Sequence, residues 1–244
     1  LMGFPALAQA QTHFNDRGAD ASAATVARQQ SLRQSLPFED ERDFQESQRG
    51  FIAAPDYRQI RGAAGNLVWD MSRYDFLLED QDYDSIHPSL QRQATLNMNY
   101  GLYEVVPDFM YQLRGFDLAN MTLVRGETGY SHSHIDHFGG VLGVTSPEQV
   151  QAGEVEVIAP SGFMAEAIAE NVYAGNAMSR RAGFQYGRFI PSGPFGQVDS
   201  AIGKGLSAGT TGLIAPTLVI EDDYEEHRVD GVSMVFQNTP GTEA

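Results

Sequence analysis

Three of the six histidines lie within six residues, in the run His132-Ser133-His134-Ile135-Asp136-His137, which Phe138, Gly139 and Gly140 follow. Imidazole nitrogens and a carboxylate are the ligands that zinc and similar borderline ions take. Side chains alternate along an extended segment, so His132 and His134 share one side of it. Asp136 and His137 reach a neighbouring position only if the chain turns there. Four donors so spaced can serve two adjacent divalent ions. That is the arrangement of two-metal hydrolysis, in which a bound ion lowers the pKa of water to ~7. Gly139 and Gly140 are expected to let the backbone turn tightly into the next element. The other histidines do not cluster: His13 is isolated, His87 precedes Pro88, and His227 sits in an acidic stretch. Structural or solvent-facing roles are expected for these three.

Composition excludes other chemistries. The 244 residues include no cysteine, so thiolate metal sites, cysteine nucleophiles and disulfides are ruled out. Sixteen basic residues stand against 32 acidic ones, a net charge of -16, which opposes binding to a nucleic-acid backbone. Lys204 is the only lysine. No apolar run reaches the ~18 residues of a membrane-spanning helix. The apolar N-terminus closes in Ala8-Gln9-Ala10, a small-x-small pattern that matches the tail of a secretory signal. Residues 1–20 are therefore expected to be a signal remnant and flexible arm, residues 21–244 the catalytic domain, and the location periplasmic or secreted.

The elements that must position the histidine run can be read around it. A helix is expected over 22–36, capped by Ser22 and stopped by Pro37. A second is expected over 40–50, with Phe38, Phe44 and Phe51 on its apolar side and Gly50 as terminator. Leu67-Val68-Trp69 reads as a strand and 80–85 as an acidic loop. Pro88 opens a helix expected to run to Tyr100 and end at Gly101. Runs at 102–106, 109–114 and 121–125 read as an antiparallel meander. A strand over 155–159 is followed by a long helix capped by Ser161, with Met164, Ile168 and Val172 as its apolar stripe. Residues 191–212 read as a long Gly/Ser/Pro-rich loop. Strands follow at 218–221 and 232–236, with an acidic turn over 221–226 between them. Strands interleaved with helices indicate an α/β or α+β sandwich.

The pattern H-x-H-x-D-H-x-G-G resembles the signature of the metallo-β-lactamase fold. Three further stretches are similar to the linear alkyl sulfatases of that fold, the dodecyl-sulfate-type hydrolases. They are R-G-F-D-L-A-N-M-T at 114–122, N-V-Y-A-G-N-A-M-S-R-R at 171–181 and F-Q-N-T-P-G-T-E-A at 236–244. The likeness runs from about Gln29 to Ala244. It implies an αββα sandwich with an N-terminal helical extension, and zinc-dependent cleavage of alkyl sulfate esters to alcohol and sulfate. It implies His132 and His134 on one zinc with Glu243, and Asp136 and His137 on the other. Asp136 would also orient the attacking water. Tyr173, Asn176, Arg180 and Arg181 are candidates to hold the sulfate, since guanidinium suits an oxyanion. Attack at sulfur and attack at carbon both remain open, and the family implies a homodimer.

Two departures from the family pattern set further expectations. Leu123-Val124-Arg125-Gly126-Glu127-Thr128-Gly129 runs straight into Tyr130-Ser131-His132, where the family has a strand–helix–strand segment. Glu127-Thr128-Gly129-Tyr130 is not an apolar strand, so an internal deletion is expected. The family's bridging glutamate, last zinc-binding histidine, dimerisation region and C-terminal domain would all lie beyond Ala244. Five remaining donors complete one four-ligand zinc site and leave a second short. Impaired hydrolysis is therefore expected. The alternatives are a catalytically incompetent fragment, or a hydrolase of the same fold acting on another ester or amide.

Overall fold

The computed structural model describes residues 20–124, 128–129, 134–229 and 231–241. The expected signal remnant, His13, His132 and Glu243 fall outside the described residues.

Helix α1, Ala23–Ser35, begins where Ser22 Oγ accepts a hydrogen bond from the Thr25 amide at 3.2 Å. Such a cap satisfies one of the helix's orphan amides. Helix α2 covers only Arg42–Ser47. Phe51 is not on that helix, as the sequence suggested, but opens strand β1, Phe51–Ala53. The reason is Gly50, whose φ of +73° turns the chain. A Cβ there would collide with the Glu104 carbonyl, so only glycine lets this strand lie beside its neighbour. Strands β2, Gln59–Arg61, and β3, Leu67–Asp70, form an antiparallel pair. A 3-10 helix, Ser72–Leu78, follows.

Helix α3, Pro88–Leu96, starts as expected, and His87 is its cap: Nδ1 accepts from the Ser89 amide at 3.2 Å. The helix ends four residues before Tyr100. Asn99 Nδ2 donates to the Leu96 carbonyl at 3.0 Å, which satisfies a helix-end acceptor that another turn would otherwise have served. The meander is present as β4, Gly101–Val106, β5, Met110–Arg114, and β6, Met121–Val124. With β1 it makes a four-stranded antiparallel sheet in the order β1-β4-β5-β6. Trp69, Met71, Tyr74, Leu77, Tyr83 and Ala94 form a core between the β2–β3 pair, the 3-10 helix and α3.

The second half is built on a parallel sheet of β7, Thr128–Gly129, β8, Val157–Pro160, and β9, Leu218–Ile220. Thr128 and Gly129 thus pair as strand backbone despite their polar sequence. Between β7 and β8 lie α4, Ile135–Phe138, and α5, Pro147–Gln151, the latter opened by a Ser146/Gln149 capping box. After β8 come α6, Phe163–Ile168, a π-helical turn, Ala169–Tyr173, and α7, Gly175–Gln185. Two expectations are corrected here. The cap of α6 is Gly162 at φ +81°, without a side-chain bond, and not Ser161. The buried stripe is Phe163 and Ala167, one residue before Met164 and Ile168, while Val172 is 69% exposed.

Strand β10, Tyr224–Val229, and β11, Val232–Gln237, form a hairpin, so of the expected acidic turn residues 221–223 are turn and 224–226 are strand. His227 belongs to that strand, its Nε2 2.8 Å from Glu225 Oε2. Strand β8 is buried on both faces, as parallel strands are. Val157 and Ala159 pack with Phe138, Phe163 and Ala167 on the helical side. Ile158 packs with Ile220, Val229, Met234 and Phe236 on the hairpin side. Helices, parallel sheet and hairpin are therefore three stacked layers. The 191–212 loop is held by a buried ion pair: Lys204 Nζ donates to Asp199 Oδ2 at 2.9 Å and to the Ala94 carbonyl at 2.5 Å. Among the described residues, no helix is long and apolar enough to cross a membrane.

Candidate metal centre

The histidine run enters the described residues at His134, which is extended at φ -72°, ψ 142° and forms the N-cap of α4. The chain turns immediately after it, and the His137 amide donates to the His134 carbonyl at 3.0 Å. Asp136 and His137 sit on that single helical turn. Phe138, the last residue of α4, is buried and meets Phe163 of α6 edge to face, with centroids 5.8 Å apart at 83°. The turn is thus anchored by an aromatic contact into the core.

Gly139 acts by close approach and not by a positive φ, which is -59°. A Cβ at Gly139 would meet the Ile135 carbonyl at 2.6 Å and Thr211 Cγ2 at 3.2 Å. The Gly212 amide donates to the Gly139 carbonyl at 2.8 Å, so the end of the long loop lies against the ligand turn. Gly140, at φ -85°, faces open space. The expected tight glycine turn is therefore an ordinary backbone path at which one glycine is sterically required.

Asp136 Oδ2 lies 3.3 Å from His137 Nε2. Two donors on one tetrahedral zinc, each bonded at ~2.1 Å, are ~3.4 Å apart, so this carboxylate–imidazole pair has the spacing and the chemistry of ligands to one ion. His134 Nε2 faces a different carboxylate, Glu170 Oε1, at 3.5 Å. Among the described residues no three histidine or acidic side chains converge on one point. His134, Asp136 and His137 are donors of the right type on one short turn, and in that sense they fit a divalent ion. His132 and Glu243 lie outside the described residues.

The candidate sulfate residues lie further along the same helical run. Tyr173 closes the π turn and is 86% exposed. Asn176, Arg180 and Arg181 are exposed on α7. The sequence reading missed Glu170. No local spacing signals it, because Glu170 lies in the π turn beyond α6 and meets His134 only through tertiary packing.

A parallel strand layer with helices on one face, a β-hairpin on the other and a histidine-aspartate turn at the head of a short helix is the architecture of the metallo-β-lactamase fold, a class of metal-using hydrolases. No protein-family model matches the chain. An (R)-specific secondary-alkylsulfatase of Pseudomonas sp is 43% identical over 92% of the chain. The alkyl/aryl-sulfatase BDS1 of Saccharomyces cerevisiae is 39% identical over 94% of it, and a linear primary-alkylsulfatase of Pseudomonas sp is 38% identical over all of it. The solved structure of the stereoselective inverting sec-alkylsulfatase Pisa1 from Pseudomonas sp. matches with a TM-score of 0.84 at 41% identity. It covers 91% of this chain and 40% of that one. The chain is thus similar to alkylsulfatases over nearly its whole length. It spans 39% to 41% of the length of these three curated relatives. The alignment to the linear primary-alkylsulfatase runs over 278 positions, more than the chain's 244 residues, so the relative carries segments that this chain lacks within the matched region.

Proposed function

We propose that this chain is the metal-binding part of a zinc-dependent alkylsulfatase, which hydrolyses alkyl sulfate esters to an alcohol and sulfate. The observation that carries the reading is the likeness to three curated alkylsulfatases, at 38% to 43% identity over at least 92% of the chain. The Asp136–His137 pair at 3.3 Å, on a turn anchored by Phe138, supports it.

In this reading His132, His134 and Glu243 would hold one zinc, and Asp136 and His137 a second. The ions, when bound, would supply Lewis acidity and a water of lowered pKa. Asp136 has a second task, orienting that water with whichever carboxylate oxygen is not directed at metal. Tyr173, Asn176, Arg180 and Arg181 lie on an exposed run and would grip the sulfate oxygens by planar donation from the two guanidiniums. Five donors are too few for two closed sites, so this 244-residue chain is proposed to bind zinc incompletely and to turn over slowly. Export from the cytoplasm, suggested by Ala8-Gln9-Ala10, and homodimerisation of the longer protein belong to the same proposal.

The test is sulfate release from octyl sulfate in 18O-labelled water, with zinc added. Slow zinc-dependent release, abolished by Asp136→Ala, is the expected result. Label in the alcohol means attack at carbon, and label in the sulfate means attack at sulfur. Release that is unchanged by both chelator and Asp136→Ala would contradict the reading.

A further inference from the structure

We infer that Gly212 is a positioning residue for the ligand turn: having no side chain, it seats the end of the 191–212 loop on Gly139 and so fixes the backbone that carries Asp136 and His137. The inference deepens the metal reading above and rests on it.

Helix α4 has four residues. One turn is too short to keep its own shape in water, yet metal donors must be held within ~0.5 Å of their working geometry. The shape therefore comes from what the turn rests on. The Gly139 amide donates to the Ile135 carbonyl at 2.8 Å, which closes the turn around Asp136 and His137. The carbonyl of the same Gly139 accepts from the Gly212 amide, also at 2.8 Å. A Cβ on Gly212 would collide with Leu142 Cγ and Cδ1, in the 3-10 turn that follows α4. Gly212 is not among the glycines of positive φ, so it is required for space and not for a left-handed backbone. Loop and turn thus approach as closely as they do because both contact residues are glycines. Leu213 and Ile214 then enter the core cluster that holds Phe138 and Val141, which presses the seat from behind.

The earlier anchors of the loop lie elsewhere. The Ser207 amide donates to Asp117 Oδ2 at 3.1 Å, between β5 and β6, and the Ala208 amide to the Val68 carbonyl of β3 at 2.8 Å. The loop is held at these points whether or not the turn carries an ion, so Ala208 serves as an internal control. At Gly212 the relation is reciprocal. If the seated loop favours the ion-binding shape of the turn, a bound ion favours the seated loop by the same factor.

The experiment is amide hydrogen exchange of the full chain, without and with saturating zinc, alongside zinc affinity by chelator competition. Zinc is expected to slow exchange of the Gly212 amide about fivefold or more and to leave the Ala208 amide unchanged. Gly212→Ala is expected to weaken zinc binding about fivefold or more. Adding Leu142→Ala, which makes room for the new methyl, should restore most of that affinity, and Leu142→Ala alone should leave it unchanged. A Gly212 amide that exchanges equally with and without zinc, a Gly212→Ala variant of wild-type affinity, or a loss that Leu142→Ala does not relieve overturns the inference. The exchange measurement uses the unaltered chain, so it decides even if Gly212→Ala does not fold. An unaltered chain that binds no zinc at all removes the metal reading itself, and this inference with it.

Discussion

Tyr83 is buried beneath the 3-10 helix, and its hydroxyl hydrogen is shared between Glu79 Oε2 at 2.7 Å and the Phe76 carbonyl at 3.0 Å. Burial, followed by the adjacent Glu79 carboxylate, pushes its pKa up from 10.0 to about 12. The folded chain thus keeps a proton that the unfolded chain releases. Its stabilising contribution is complete below pH 10.0 and is lost as pH rises to about 12. Tyr74, Tyr100 and Tyr103 are raised too, each chiefly by burial, and act in the same direction. Thermal unfolding across this alkaline window is expected to show a falling Tm, and Tyr83→Phe should flatten part of the fall. An identical slope in the variant would show that Tyr83 does not hold its proton in this way. Single residues near the metal turn were partly legible in the sequence. Asp136 and His137 announced themselves because their relation is local. Glu170 did not, because only tertiary packing brings it to His134.

At the level of elements, the α4–α6 contact positions the ligand turn. Phe163 is 2% exposed and Ala167 1%, whereas Val172 is 69% exposed. Phe163→Ala is therefore expected to cost ~3–5 kcal/mol, and Val172→Ala less than ~0.5 kcal/mol. Urea unfolding of the two variants checks this, and equal midpoints would mean that α6 does not face the core through Phe163. The apolar stripe read from the sequence lay one residue away because Met164, Ile168 and Val172 are three large apolar residues at i, i+4 and i+8, whereas Phe163 and the small Ala167 are only two at the same spacing. The π turn then breaks the period altogether. The meander, α1 and the start of α3 were legible, since alternation, Ser22, His87 and Pro88 are local signals. Strand β10 was hidden for a physical reason: its inward positions include Glu225 and His227, which pair with Phe236 and Met234 across the hairpin. Polar residues on an inward face erase the pattern on which strand reading depends.

Over the whole molecule, two cores and a pinned loop bring distant segments to one place. The Lys204–Asp199 pair is 1% and 0% exposed at its side chains and ties the 191–212 loop to α3 through the Ala94 carbonyl. No local pattern disclosed it; the lone lysine of the chain was its only sequence mark. The far end of that loop reaches Gly139 through Gly212, so the loop and the ligand turn are mechanically connected. The chain covers about two fifths of its relatives' length, yet it holds the histidine-aspartate turn within a packed layer of helix, sheet and hairpin. The account stands or falls on whether that turn binds metal. Titration of the whole chain with zinc, followed by calorimetry, tests this most directly. Saturable binding that is lost or weakened at least about tenfold when His132, His134, Asp136 and His137 are all replaced by alanine is the predicted result. No saturable binding, or binding of equal strength in that variant, would contradict it.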